Sequence, residues 1–408
     1  MNIFDRFLSS SPIFKNRDVL RHSYTPDSLP HREEQIEKLA TLLSPVLKGG
    51  TPSNIFIYGK TGTGKTATVR FVARQLMEAS EKVGARVRIH YVNCEIVDTS
   101  YRVLASVAKG LGRSVPMTGW PTDQVYEEIV KTLERLSGKV ILVLDEVDKL
   151  AKKAEEALYS LTRINSDLSS AKVSLIGITN NLKFKSLLDA RVLSALSEEE
   201  LVFPPYNAEQ LEDILRQRAS LAFNEGVVEE GVIELCAALA AQEHGDARKA
   251  LDLLRVSAEI AEREGDTKVR VRHVREALRS IEVDHLAETV RTLPIHTKIL
   301  LYGMTVLSET KDKFTTGEVY TIYKKLCNRI GISPLTQRRI SDLISELDML
   351  GVVNSVVISK GRYGRTREIT LEADVDSVKS VLAEDYRLRS LRGYEGEVKK
   401  LAKLLTFE

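Results

Sequence analysis

The stretch Gly59–Thr66 (GKTGTGKT) has the residue types and the spacing of a loop that wraps around phosphate groups. Its glycines let backbone N–H groups point inward, Lys65 is placed to reach the β- and γ-phosphates, and the Thr66 hydroxyl suits Mg²⁺. An apolar run precedes the loop and a helical pattern follows it, so that a helix N-terminus also faces the anion. We therefore predict a nucleotide site that takes ATP or ADP with Mg²⁺. The predicted nucleotide-binding residues of the loop are Gly59, Thr61, Gly62, Thr63, Gly64, Lys65, Thr66 and Ala67.

Two acidic residues and an amide stand at the ends of two further apolar runs that predict buried parallel strands. Asp145 and Glu146 end the run KVILVLDEVD, and Asn180 ends the run KVSLIGITNN. Because the carboxyl ends of parallel strands meet at one edge of a sheet, these side chains are expected beside the phosphate loop. Asp145 is predicted to hold Mg²⁺ together with Thr66, and Glu146 to activate the attacking water as a general base. Asn180 either holds that water or contacts the γ-phosphate, unless it only caps a helix.

Two arginines are candidates for contact with phosphate. Arg248 follows Asp246, a predicted helix N-cap, in the segment HGDAR. The helix dipole disfavours a cation in the first turn, so we expect an anion such as a nucleotide phosphate beside it. Arg191 stands alone in the apolar helical segment 187–196, where it is either solvated or reaches a neighbouring subunit's γ-phosphate as an arginine finger.

An irregular segment with two prolines, residues 18–30, precedes the helix that leads to the phosphate-loop strand. Such an arm often packs against the base of a nucleotide, and the candidates for that contact are Arg17, Tyr24, Pro26, His31 and Arg32. The alternative is a segment that only marks the edge of a domain. Tyr206, at the end of the last predicted strand of the sheet, is a further predicted nucleotide-binding residue.

The chain of 408 residues is long for one core, and we divide it into three domains, residues 1–206, 207–285 and 286–408. The first is predicted to be α/β, with a parallel sheet and flanking helices, and the second to be all-helical. Three distant cysteines without a C-x-x-C pair favour buried free thiols in a reducing cytosol over a metal or disulfide role. No apolar run approaches 18 residues and no secretory leader is evident, so we expect a cytoplasmic protein without a membrane partner.

The third domain has the order helix, helix, helix and basic hairpin, which is typical of a winged helix-turn-helix. Residues 295–370 hold 12 Lys and Arg against 7 Asp and Glu, an excess that is larger than the net charge of +2 for the whole chain. The third helix is expected to begin with Ser333 as its N-cap and Pro334 at its first position.

A polar face on that third helix and the basic tip of the hairpin predict contact with DNA. The helix would enter a major groove, and the tip would contact phosphates or the minor groove. The alternative is a small protein-interaction domain, since winged helices also serve that role. The predicted DNA-binding residues of the domain are Arg338, Arg339, Ser341, Lys360, Arg362, Tyr363 and Arg365.

The assembled motifs resemble an archaeal replication initiator of the origin-recognition type, a family of AAA+ ATPases. The segment RDVLRHSYTPDSLPHREEQ, the helix start GDARKAL and the C-terminal winged helix carry the resemblance, whereas GKTGTGKT and DEVD are shared by many ATPases. The resemblance implies an AAA+ core, a helical lid and a winged helix, with slow regulatory ATP hydrolysis. It also implies association with the chromosome, with double-stranded origin DNA, a replicative helicase such as MCM and other initiator paralogues as partners.

The resemblance also assigns roles to single residues. It makes Lys65 and Thr66 the Walker A motif, Asp145 and Glu146 Walker B, Asn180 sensor 1, Arg248 sensor 2 and Arg191 the arginine finger. Residues near 99–121 would form an insertion that initiators press against the DNA backbone, with Met117 and Trp120 as contacts. A tryptophan in such a connection is otherwise a packing residue.

Two other functions are compatible with the same motifs. A motor ATPase, such as a helicase or a clamp loader, predicts fast turnover that DNA stimulates, but no further helicase motif is evident and a clamp loader needs no winged helix. A transcriptional regulator with ADP as a structural ligand predicts binding at promoters and little effect of Glu146→Gln.

Overall fold

The computed structural model describes residues 13–97, 99–116, 118–150, 154–196, 198–359, 365–394 and 396–400. The chain divides into two compact units, residues 1–276 and 277–408. The elements of the first unit are α1 (Glu33–Leu43), β1 (Asn54–Gly59), α2 (Lys65–Val83), β2 (Val87–Asn93), α3 (Ser100–Gly110), α4 (Thr122–Leu136), β3 (Gly138–Asp145), α5 (Glu155–Arg163), β4 (Ala171–Thr179), α6 (Ala190–Leu196), β5 (Glu198–Phe203), α7 (Ala208–Ala222), α8 (Val232–Gln242) and α9 (Ala247–Glu264), and α10 (Val271–Thr292) runs across the division. The predicted three-domain boundaries stay a prediction.

Five strands of the first unit form a parallel sheet in the order β2-β3-β4-β1-β5. The interior strands β1, β3 and β4 are largely apolar and buried, as strands covered on both faces must be. One face packs against α1 and α2 around Leu39 and Val69, and the other against α3, α4 and α5 around Leu104 and Leu142. Because β1, β3 and β4 are neighbours, their carboxyl ends lie together, which confirms the predicted α/β class and brings the polar strand ends to one edge.

The elements that frame the site agree with the prediction in most places. Asp246 is the N-cap of α9, and its carboxylate accepts hydrogen bonds from the backbone N–H groups of Arg248 (2.8 Å) and Lys249 (3.4 Å). One boundary is wrong: β5 ends at Phe203, so Tyr206 lies in the connection to α7 and not at the end of a strand.

The second unit has the order of a winged helix and a core of its own around residues such as Leu301, Tyr323 and Ile344. Its sheet has the order β6-β8-β7 and is antiparallel, and the sequence did not reveal the two-residue strand β6. The elements after α10 are α11 (Ile295–Ser308), β6 (Phe314–Thr315), α12 (Thr316–Ile330), α13 (Gln337–Met349), β7 (Val353–Ser359), β8 (Arg365–Leu371) and α14 (Val375–Leu382).

The predicted start of the third helix of this unit, α13, is wrong. Thr336 is the N-cap, its hydroxyl accepting a hydrogen bond from the backbone N–H of Arg339 at 3.4 Å. The preceding backbone is held outside the helix because Leu335 N–H donates to the Tyr323 hydroxyl at 3.1 Å, and its carbonyl accepts a hydrogen bond from Tyr320 at 3.3 Å. These tertiary contacts override the local Ser-Pro signal.

The predicted burial of the cysteines is confirmed, since Cys94, Cys236 and Cys327 are free and buried. Within the part of the chain that the structure describes, no helix combines the length and the apolar character needed to cross a membrane.

Candidate nucleotide site and polar face of the winged helix

The phosphate loop between β1 and α2 has a backbone that only glycines accommodate. Gly62 and Gly64 have φ angles of +71° and +88°, a region that is strained for residues with a side chain. A Cβ atom on Gly59 would stand 2.6 Å from the carbonyl oxygen of Phe203, and one on Gly62 would overlap the carboxylate of Asp246. The loop therefore keeps a tight curve beside its neighbours, and this geometry fits a loop that surrounds phosphate.

Lys65 is buried at the centre of this loop, with 6% of its surface exposed. Its ammonium donates hydrogen bonds to the carbonyls of Gly59 (2.8 Å) and Lys60 (2.6 Å) and to Oδ1 of Asn180 (2.7 Å). Burial, with a smaller effect from the charge of Arg248, lowers the pKa of Lys65 to about 8. An anion beside this ammonium favours its charged form, so the group suits phosphate binding.

The carboxyl end of β3 carries two acids with different environments. Asp145 accepts hydrogen bonds from the Thr66 hydroxyl (2.9 Å) and from the backbone N–H of Glu146 (3.1 Å). Glu146 has a φ angle of +55°, which is uncommon for a residue with a side chain. Burial, with the charge of Glu95 as the next cause, raises the pKa of Glu146. A carboxyl with a raised pKa in a cavity is suited to general base catalysis.

The start of α9 lies directly on the phosphate loop. The backbone N–H of Ala247 donates to the carbonyl of Gly62 at 3.2 Å, and the Asp246 carboxylate fills the place that a side chain on Gly62 would take. Arg248 follows and lines the same cavity as Lys65. The sequence predicts that an anion lies beside the first turn of α9, where Arg248 stands. The structure places this turn next to the phosphate loop, which is predicted to bind that anion.

These groups line one end of a cavity of about 520 Å³. Its other end is formed by the arm, the irregular segment before α1, and by α7 of the lid, the helical part that follows the sheet. Tyr24 lines that second end, and the guanidinium of Arg218 lies 4.6 Å from the centre of its ring. Gln217 donates to the Ser28 hydroxyl at 2.5 Å and so joins α7 to the arm. Sequence reasoning missed these α7 residues because nothing in their local pattern distinguishes them from other helix residues.

Five residues predicted for nucleotide binding are not among the described residues that line the cavity, and one of them, Arg17, pairs with Glu262 of α9. Gly59 and Thr61 belong to the loop but are not part of this lining, and His31 contacts Asp213, with Nε2 and Oδ2 2.9 Å apart. Arg32 is buried, and its guanidinium donates to backbone carbonyls, including that of Thr63 in the loop.

Two further predicted residues of the first unit are also absent from the described lining of the cavity. Arg191 is 75% exposed and its Nε pairs with Oδ1 of Asp189 at 3.0 Å, so within this chain it is a solvated side chain. Trp120 is half-buried and packs against the core of the first unit, which agrees with the packing alternative. Met117 lies outside the described residues.

Thr66 and Asp145 offer the hydroxyl and carboxylate oxygens that Mg²⁺ prefers, so the chemistry of these donors fits the ion. A second cluster, Glu264, Asp266 and His273, has metal-binding residue types but a different chemistry. Nδ1 of His273 accepts the backbone N–H of Arg270 at 3.0 Å, so the proton of the neutral ring is on Nε2, the atom that faces the acids. That tautomer acts as a helix cap and offers no lone pair to a metal.

The polar face of α13 in the second unit is exposed and has few restraints. Arg338 is exposed, and Arg339 lies at the long distances of 3.7 Å and 3.5 Å from Asp342 and Glu346 of its own helix. Ser341 donates back to its own helix, to the carbonyl of Gln337 at 3.2 Å.

The wing is described only in its strands. Lys360, Arg362 and Tyr363 lie outside the described residues, and the side chain of Arg365 is not described either. The strand β8 adds a residue that the sequence analysis missed, Arg367, whose Nη1 donates to the Ser345 hydroxyl of α13 at 2.6 Å.

The fold and the site define an AAA+ ATPase core followed by a lid and a winged helix. Family models match successive parts of the chain: "AAA ATPase domain" at residues 28–176, "Cdc6 AAA+ ATPase-type lid domain" at residues 212–279 and "CDC6, C terminal winged helix domain" at residues 288–381. The protein is therefore an ATPase of the AAA+ class, with a nucleotide and typically Mg²⁺ as its ligands.

Relatives identify the family within that class. The chain is 72% identical over 408 residues, 100% of both proteins, to ORC1-type DNA replication protein 1 of Archaeoglobus fulgidus. It is 58% identical over 396 residues, 96% of this chain and 95% of the relative, to the ORC1-type DNA replication protein of Thermococcus onnurineus. The solved structure of the Aeropyrum pernix ORC1 protein in complex with DNA matches with a TM-score of 0.84 and 50% identity, covering 93% of this chain and 99% of that one. The chain belongs to the family of ORC1-type DNA replication proteins.

Proposed function

We propose that the protein is an ATP-dependent initiator of DNA replication that binds origin DNA and helps to recruit or load the replicative helicase. The observation that carries the proposal is the combination of two features in one chain. One is a nucleotide cavity that residues of the lid, such as Arg248, help to line. The other is a winged helix whose helix α13 exposes Arg338 and Arg339. The full-length similarity to ORC1-type DNA replication proteins supports it, as does the DNA complex of the Aeropyrum pernix relative.

In the nucleotide site, Lys65 binds the β- and γ-phosphates, and Arg248 adds a second positive charge from the lid. Thr66 and Asp145 would hold Mg²⁺, which would neutralise charge on the phosphates. Glu146 accepts a proton from the attacking water. Asn180, which is already hydrogen-bonded to Lys65, orients the γ-phosphate or that water.

The base of the nucleotide occupies the end of the cavity that Tyr24 and the lid form. ATP and ADP are both ligands of this site, and hydrolysis is slow and regulatory. Arg191 is exposed on the surface of the first unit, and this exposure is compatible with a reach into the site of a neighbouring initiator.

In the second unit, α13 enters a major groove, where Arg338, Arg339 and Ser341 contact the DNA. The wing residues Lys360, Arg362, Tyr363 and Arg365 contact phosphates or the minor groove. Met117 and Trp120, in the insertion of the first unit, are additional candidates for contact with the DNA backbone. Binding of this kind associates the protein with the chromosome, where the helicase and other initiators are its partners.

A selection with purified protein tests this proposal. Fragments of the genome of the source organism are incubated with the full chain and ATP, and the retained fragments are sequenced. Enrichment of fragments from replication start regions, weakened with Arg338→Ala, is the expected result. Retention of promoter fragments without start regions would favour a transcriptional regulator, and retention without sequence preference would favour a motor or loader.

A further inference from the structure

Arg32 is a buried arginine whose guanidinium joins three separate segments of the first unit. Only 1% of its surface is exposed. Its Nη1 donates to the backbone carbonyl of His31 in the arm at 2.8 Å. Its Nε donates to the backbone carbonyl of Thr63 in the phosphate loop at 2.9 Å. Its Nη2 donates at 2.7 Å to the carbonyl of Pro204, in the connection between the sheet and the lid.

The guanidinium is held by dipoles and an aromatic face. Its central carbon lies 3.7 Å from the centre of the Tyr206 ring, and among the described residues it forms no ion pair with a carboxylate. Burial lowers its pKa, whereas the charge interactions with Tyr206 and Glu33 raise it. Desolvation of a cation is costly. The planar guanidinium of arginine donates to three carbonyls at once from three different nitrogen atoms. The single ammonium nitrogen of lysine does not provide this geometry.

Tyr206 extends this connection from the arginine to both sides of the nucleotide site. Its hydroxyl lies 2.8 Å from the position that a Cβ on Gly64 would take, so it packs against the phosphate loop. Its backbone carbonyl fills the place of a side chain on Gly245, whose φ angle is +68° and which directly precedes the N-cap of α9. One tyrosine thus contacts the loop that surrounds phosphate and the glycine that leads into the lid helix carrying Arg248.

We propose that Arg32 is a positioning residue that couples the phosphate loop to the orientation of the lid. The inference rests on the proposed nucleotide site. A nucleotide that draws Lys65 away from the carbonyls of Gly59 and Lys60 alters the loop, and the bond from Arg32 to Thr63 passes this change to Pro204 and Tyr206. The lid then moves with the loop, and the state of the nucleotide determines where Arg248 stands.

The test is a distance measurement in the full chain with spin labels on Glu81→Cys in α2 and Glu230→Cys before α8, both exposed positions. The three native cysteines are buried, so the labels attach to the introduced thiols. In the otherwise native chain, ADP is expected to change the distance distribution. With Arg32→Lys, ADP still binds with an affinity within about threefold, because Lys65 and its partners are intact, but the distribution no longer responds.

Arg255→Lys is the matched control, since the partners of Arg255 are Asp252 and Glu259 on the same helix α9, and its response to ADP should be retained. If Arg32→Lys does not fold, Tyr206→Leu keeps the three hydrogen bonds of Arg32 but removes the aromatic face, and a weakened response is expected. An unchanged response in either variant, or no response to bound ADP in the parent chain, would overturn the coupling. Failure of the parent chain to bind ADP would instead overturn the proposed nucleotide site itself.

Discussion

The nucleotide cavity of the first unit and the polar face of α13 in the second unit hold their charged groups in opposite ways. In the cavity, Lys65 is buried and bonded to three oxygen atoms, and Asp145 is bonded to Thr66 and to the backbone. On α13, Arg338 is exposed and Arg339 reaches acids only at long distance. The charged groups of the first region are held by hydrogen bonds within the chain, whereas those on the α13 face are exposed and weakly restrained. Substitutions should therefore have their largest effect on catalysis in the cavity, whereas effects on ligand binding are expected to be similar in size in the two regions.

The largest effect is expected for Glu146→Gln, which removes the general base but keeps the shape of the side chain. ATP hydrolysis should fall by about 10²- to 10⁴-fold while ATP and DNA binding persist. Phosphate release measured with the purified protein checks this, with Glu156→Gln, an exposed acid on α5, as the control. A hydrolysis rate within a few-fold of the native value would remove Glu146 from catalysis.

The pH dependence of the same reaction gives an independent test. Because a general base must be deprotonated and the pKa of Glu146 is raised, hydrolysis should decline at a higher pH than for an ordinary carboxyl group as the solution is acidified. The measurement is kcat/KM for ATP hydrolysis across pH 4 to 8, because this ratio reports the pKa of groups in the protein before ATP binds. A rate independent of pH over this range would contradict the assignment.

The next effect concerns Lys65→Ala, which removes the buried ammonium. ADP affinity should fall by about 10- to 100-fold, since hydrogen bonds to charged groups contribute about 1.5–3 kcal/mol. Calorimetric titration compares this variant with Lys60→Ala, which removes an exposed neighbouring lysine and should bind ADP as the native chain does. Equal affinities for the two variants would show that phosphate lies elsewhere.

On the face of α13, Arg338→Ala should weaken binding to the specific DNA site by about 1–3 kcal/mol if this arginine reads a base. Titrations of specific and unrelated duplexes at one salt concentration separate the two roles of an arginine. An equal loss on both duplexes would assign Arg338 to phosphate contact. Arg275→Ala, an exposed arginine of the first unit with the same change of charge, serves as the control.

The smallest effect is on the stability of the second unit. Arg387, followed by Lys298, holds the pKa of Asp385 well below its usual value through hydrogen bonds of 2.9 to 3.2 Å. Because the pKa is lower in the folded state, ionised Asp385 stabilises the folded unit at pH values above the unfolded pKa of about 4. This stabilisation is lost as the pH falls. Asp385→Asn should lower the Tm of this unit by about 3–6 °C at pH 7, with a smaller difference at pH 3. A difference that does not shrink in acid would exclude this linkage.

The two regions also differ in how much of them the sequence predicts. The glycine spacing between Gly59 and Thr66 predicts the backbone of the phosphate loop. The apolar runs that end in Asp145 and Asn180 predict where these two side chains lie, because the carboxyl ends of parallel strands meet at one edge of a sheet. The role of Arg32 was not predictable, since whether an arginine near the loop faces ligand or carbonyls depends on the tertiary position of Pro204. The start of α13 was missed for a similar reason, because Tyr323 holds Leu335 outside the helix.

The most direct test of the proposed initiator function is the position of the protein on the chromosome in growing cells. The protein is crosslinked to DNA, the bound fragments are sequenced, and their positions are compared with mapped replication start points. We expect sharp enrichment at one or a few start points, with weaker peaks for Arg338→Ala. Peaks at promoters with none at start points would contradict it.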